Sequence, residues 1–231
     1  MSQNLAAAVH PLLADLSVIS VRDVVFLVAG LLIALPVHEY AHAWVAERLG
    51  DVTPKVSGRL TLNPKPHVDT FGTIVLPALL LLRVLFGGGP FSFAYAKPQP
   101  LNPWALRRQD RHVVLIALAG PAANLVLAFL FGLLFRAVSG SGIVVAQLVG
   151  DVLIANVVLC VLNLLPIPPL DMTRVVARFL PPRAQEVLTN MEQYGALFMI
   201  VVFFLIFTPI ASFMATIGNG ICQLTAGAHC F

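Results

Sequence analysis

Val24–Val37 reads VVFLVAGLLIALPV and runs without a break into His38-Glu39-Tyr40-Ala41-His42 and Ala43-Trp44-Val45-Ala46. Fourteen apolar residues in a row open a helix that, taken from about Val21 to Leu49, is long enough to cross the roughly 30 Å hydrocarbon core of a bilayer. Two histidines and a glutamate therefore fall inside a membrane span, where ionisable groups are costly and mark function. The rest of the chain fits this setting. Of its 231 residues 58% are hydrophobic and 11% charged, with mean hydropathy +0.89, whereas soluble domains carry about a quarter charged residues. These figures argue against a water-soluble fold.

Further spans are expected at Val113–Phe135, near Val152–Leu170 and at Gly195–Ile217. Phe71–Phe86 contains Gly72, Pro77 and Arg83; it is marginal for a crossing and reads equally as a re-entrant hairpin. Lys55–Leu62 and Phe91–Lys97 alternate between Gly and Pro breaks, with Phe91, Phe93 and Tyr95 on one face, and read as short membrane-associated strands. Asp171–Tyr194, broken at Pro181-Pro182, reads as a short amphipathic helix and turn on the surface. The expectation is an all-α polytopic membrane protein, a bundle of about four to six transmembrane helices with a re-entrant segment and a few β-strands. It forms one domain over 1–231. Residues 1–20 carry no basic n-region and read as an interfacial lead-in rather than a cleavable signal. Cys222 and Cys230 leave a bridge open.

His38 and His42 are four residues apart, so on a helix they project from one face and both can ligate one zinc ion, with Glu39 beside them to polarise a water. A catalytic zinc site takes three protein ligands and keeps the fourth position open. The third is to be found among His67, Asp69, His112, Asp151 and Asp171. Asp171 ends the string Asn163-Leu164-Leu165-Pro166-Ile167-Pro168-Pro169-Leu170-Asp171, whose three prolines within four residues unwind a helix and free the carboxylate to turn toward a neighbour.

From Val37 to about Tyr194 the chain resembles the site-2 proteases, intramembrane zinc metalloproteases, in their compact bacterial form without a PDZ domain. His38-Glu39-Tyr40-Ala41-His42 matches their zinc-binding helix. Gly58-Arg59-Leu60-Thr61-Leu62-Asn63-Pro64, followed by His67, Asp69 and Gly72, is similar to the segment after it, and Ala96-Lys97-Pro98 to the next. Gly120-Pro121-Ala122-Ala123-Asn124 resembles a Gly-Pro-x-x-Asn core, and Asn163 to Asp171 the Asn-x-x-Pro-x-Pro-x-Leu-Asp-Gly signature, with Met172 in place of the final Gly.

The resemblance implies one zinc ion per chain, held by His38, His42 and Asp171, with Glu39 as catalytic base and Asn124 and Asn163 on substrate or oxyanion. It implies hydrolysis of peptide bonds within or beside the transmembrane segments of single-spanning membrane proteins. A zinc transporter and a catalytically silent membrane scaffold are the alternatives from other classes. The basic residues Arg48, Lys55, Arg59, Lys65, Lys97, Arg107, Arg108, Arg111, Arg174, Arg178 and Arg183 fall on one side of the expected spans, while Ser139–Gly142 has none. By the positive-inside rule that side is cytoplasmic, which places the metal nearer the cytoplasmic face of a bacterial cell membrane. A net charge of +3 reflects this loop bias, and nucleic acid is not expected as a partner.

Overall fold

The computed structural model describes residues 28–82, 94–140, 142–193 and 212–227. Its first long helix, α1 (Leu35–Arg48), continues a π-helical turn at Gly30–Ala34. Pro36 lies in the first turn of α1, has no N–H to donate and crowds the carbonyl one turn earlier, and the wider π turn before it relieves that crowding. The same device recurs where the π turn Thr70–Val75 leads into α3 (Leu76–Leu82) with Pro77 second. Between them lies the four-residue α2 (Thr53–Val56).

Two helices dominate. α4 (Gln109–Val138) and α5 (Ile143–Asn163) are long and apolar enough to cross a membrane, over Asp110–Val138 and Ile143–Asn163. They pack on each other, and α1 packs on α4. From Asp151 to Leu162, α5 is buried on almost every side, as expected of a helix with no polar face. Leu153, Val157, Val161 and Ala128 form the main core with Leu76 and with Met214 and Cys222 from α8, residues 212–226. Two short helices, α6 (Asp171–Ala177) and α7 (Pro182–Gln193), follow α5. They realise the amphipathic segment expected over Asp171–Tyr194, with the Pro181-Pro182 break between them.

Several expected bounds shift. The span placed near Val152–Leu170 begins at Ile143, with Asp151 buried in mid-helix, and ends at Asn163, before the prolines. Lys55–Leu62 is not a strand: it completes α2 and then turns at Gly58, whose φ of 71° suits glycine. Among the described residues there is no strand. Of Phe91–Lys97, the described part, Ala94–Lys97, is pinned to the 3-10 turn Lys65–His67 and the π turn Thr70–Val75, so no ladder forms. Tyr95 N–H donates to the Gly72 carbonyl (3.1 Å) and Lys97 N–H to that of His67 (2.9 Å), while the Thr73 hydroxyl donates to the Tyr95 carbonyl (2.9 Å). The remainder of that strand, the second part of the Phe71–Phe86 hairpin, residues 1–20, most of Gly195–Ile217 and Cys230 lie outside the described residues.

Candidate metal centre

α1 presents His38 and His42 one turn apart on its buried face, and the chain after α5 delivers Asp171 to them as the first residue of α6. Their ligating atoms form a triangle. His38 Nε2 and His42 Nε2 are 3.0 Å apart, and Asp171 Oδ2 lies 3.0 Å from the first and 3.1 Å from the second. Residues 164–170 make this possible, turning through the cis Pro168-Pro169 bond with Leu170 N–H on the Ile167 carbonyl (2.8 Å).

The imidazole protons are already committed elsewhere. His42 Nδ1 donates to the Ile116 carbonyl of α4 (2.6 Å) and His38 Nδ1 to Asn124 Oδ1 (2.6 Å). The Asn124 amide is fixed in turn, because its nitrogen donates to the Ala34 carbonyl (3.1 Å) and to Asn156 Oδ1 (2.9 Å). The Asn156 nitrogen donates to the Val152 carbonyl (2.8 Å). With both Nδ1 atoms donating, the neutral rings point Nε2 lone pairs at each other and at a carboxylate oxygen, an arrangement that repels unless a cation sits among them. Tetrahedral zinc with bonds of about 2.0–2.1 Å needs ligand separations of roughly 3.3 Å. Two nitrogens and one oxygen at this spacing fit zinc.

Glu39 is 7% exposed and its Oε2 has no hydrogen-bond partner. A ligating oxygen of Glu39 and the imidazole nitrogens lie within 4.8 Å of one another. The carboxylate is therefore close to the metal position with an oxygen free to accept a proton. The surrounding pocket, about 40 Å³, is lined by Leu35, Tyr95, Gln99, Asn163 and Arg174 among others, and holds a few waters at most. Burial, reinforced by the carboxylate of Asp69, pushes the Tyr95 phenol up to about 12, so it remains protonated beside the cleft at neutral pH.

Of the other expected ligands, His67 is fully buried with Nε2 on the Thr61 carbonyl (2.9 Å), and Asp69 caps the π turn by accepting from Phe71 and Gly72 N–H. Neither these two nor His112 nor Asp151 lines the pocket. Asn124 is wholly buried and its amide is spent on helix-to-helix bonding and on His38, so it orients the ligand rather than facing the cleft. Asn163 does line the cleft, with one amide hydrogen on the Leu159 carbonyl (3.0 Å). Sequence reasoning passed over Asn156 and Gln99. An asparagine in the apolar run of α5 was a visible signal for the first. Gln99, which donates to the Glu39 carbonyl (2.8 Å), sits in a loop with no pattern to single it out.

Gly120 of α4 lies against the two rings: a Cβ there would run into His42 Nε2 and into His38 Cε1 and Nδ1. The close approach of α4 to α1 is thus part of the centre.

Comparison with known proteins agrees with this geometry. Residues 26–152 match the model of peptidase family M50. The chain is 36% identical over 199 residues to "Putative zinc metalloprotease YwhC" of Bacillus subtilis (strain 168), covering 82% of this chain and 83% of that protein. It is 37% identical over 193 residues to "Putative zinc metalloprotease Rip2" of Mycolicibacterium smegmatis (strain ATCC 700084 / mc(2)155), covering 80% and 68%. The Mycobacterium tuberculosis (strain ATCC 25618 / H37Rv) protein of the same name is 34% identical over 187 residues, covering 78% and 66%. No solved structure gives a significant match. The chain belongs to peptidase family M50, the site-2 protease family of zinc metalloproteases.

Proposed function

We propose that the protein is a multi-pass membrane peptidase that hydrolyses peptide bonds within or next to the transmembrane segments of single-spanning membrane proteins. The observation that carries this reading is the unpartnered Oε2 of Glu39 beside the triangle of His38, His42 and Asp171. His38, His42 and Asp171 would hold the zinc, which would supply Lewis acidity toward a carbonyl and a water. Glu39 accepts the proton from the attacking water and returns it to the departing amine. Asn124 and Asn156 hold the His38 ring so that its lone pair faces inward, and Ile116 does the same for His42. Asn163 lines the cleft, which supports a role in hydrogen-bonding the substrate backbone or the developing oxyanion.

The positive-inside bias of the connecting loops supports a cytoplasmic placement of the site in a bacterial cell membrane. A transporter needs its ion to leave, whereas two histidine ligands held by hydrogen bonds to α4 favour retention, as does a base with no ligand duty.

The test is purified protein in liposomes with a model single-spanning substrate. Cleavage is expected to stop on chelation and to return when zinc is added back. Zinc flux across the vesicle without cleavage would establish the transporter, and neither activity would leave the scaffold.

A further inference from the structure

Arg107, Arg108 and Arg111, where the chain enters α4, take no part in the metal chemistry. We propose that these three arginines and Trp104 form a docking site for anionic phospholipid at the end of α4 nearer the metal, with the indole in the headgroup layer and the guanidinium groups on lipid phosphate. The inference rests on the membrane placement of the chain and not on its being a peptidase.

The segment that carries Trp104 is held at both ends. Asn102 caps the 3-10 turn Pro103–Ala105, its Oδ1 accepting from Trp104 N–H (3.2 Å). Buried Asp51 ties that turn to α2, because its carboxylate accepts from Asn102 N–H (2.7 Å) and from Thr53 N–H (2.9 Å). On the far side of the turn Leu106 is buried with Ala46, Val113 and Ile116. Trp104 nevertheless stands 85% exposed, and Val56, on the adjoining α2, 82%. An indole fixed in this way fits the membrane interface, where its apolar ring and its N–H both find partners, better than it fits water.

Depth follows from the sequence. The apolar run of α4 begins at Val113, and Arg111, Arg108 and Arg107 precede it by two, five and six residues. At about 1.5 Å per residue they lie within about 10 Å of the hydrocarbon edge, which is the headgroup layer.

Charge selects the lipid. All three arginines are exposed, and among the described residues none of their guanidinium groups has an ion pair or a hydrogen bond. The acids around them are already matched. Asp110, in the first turn of α4, meets Arg178 at 3.3 Å, Glu47 meets Lys55 at 2.6 Å, and Asp51 is occupied by backbone N–H groups. Three uncompensated guanidinium groups at headgroup depth favour a lipid of net negative charge over a zwitterionic one.

The chain has two tryptophans, Trp44 and Trp104, so Trp44→Phe leaves Trp104 as the sole fluorescent reporter and keeps a ring beneath Arg48. This variant is placed in nanodiscs of phosphatidylcholine and phosphatidylglycerol at equal mole fractions, with one lipid or the other brominated near the headgroup end of its acyl chains. Brominated phosphatidylglycerol is expected to quench Trp104 about twofold more than brominated phosphatidylcholine. Adding Arg107→Gln, Arg108→Gln and Arg111→Gln together should bring the two to equality. Arg136→Gln, the same charge change in the last turn of α4, should leave the preference in place. Should the triple variant fail to fold, each single Gln variant is expected to reduce the preference. Quenching by neither lipid, equal quenching by both while the three arginines are intact, or an equal loss in Arg136→Gln overturns the site. Resistance to alkaline carbonate extraction from vesicles reports separately on membrane integration.

Discussion

Glu39→Gln is expected to lower cleavage by about 10³-fold, within the range for removal of a general base, while the purified protein keeps its zinc. The division follows from the geometry. Gln is nearly isosteric with Glu and fits the same buried position, but its amide cannot accept the proton that water must lose. The three atoms of the metal triangle belong to His38, His42 and Asp171 and are left untouched. Elemental analysis of the variant checks the second half. Metal loss equal to that of His38→Ala would show that Glu39 is a ligand and that proton transfer belongs to another group.

Gly120→Ala is expected to be as damaging, although it removes no functional group. The new methyl would overlap both imidazoles, and these rings are not flexible ends that can swing aside. Each is held through Nδ1 at 2.6 Å, one by Asn124 and the other by the Ile116 carbonyl. Either the rings turn and lose that orientation, or α4 moves away from α1. Overpacking of this kind costs about 1–3 kcal/mol, and displaced ligand support weakens metal binding about 10- to 100-fold. Zinc titration against a competing chelator reads the loss directly, and activity should fall with occupancy. Gly140→Ala is the matched control, since a Cβ there meets nothing within 4 Å, and it should leave zinc affinity unchanged.

These residues also show what the sequence discloses. His38, Glu39 and His42 are legible because helical periodicity alone puts the two histidines on one face, and an apolar context makes that costly. Asp171 is legible only through the prolines that free it and the resemblance that singles it out. The start of α5 is not legible because Asp151 reads as a boundary, whereas the bundle buries it in mid-helix. Alternation at Phe91–Lys97 reads as a strand, but its described part hydrogen-bonds to His67, at the end of a 3-10 turn, and to Gly72 in the π turn, a pairing with no sequence period. The resemblance implies a place on substrate or oxyanion for Asn124, whereas its three hydrogen bonds go to His38 of α1, to Ala34 of the π turn before it and to Asn156 of α5. Which way a buried amide faces depends on helix rotation, and spacing along one helix does not encode that.

The most direct test of the account is zinc K-edge X-ray absorption on the purified protein. It should show one zinc per chain in a shell of nitrogen and oxygen at about 2.0–2.2 Å, with outer-shell scattering from two imidazoles, reduced in Asp171→Ala by the loss of one oxygen ligand. A third imidazole, which would bring in His67 or His112, or a sulfur at about 2.3 Å would contradict the centre formed by His38, His42 and Asp171.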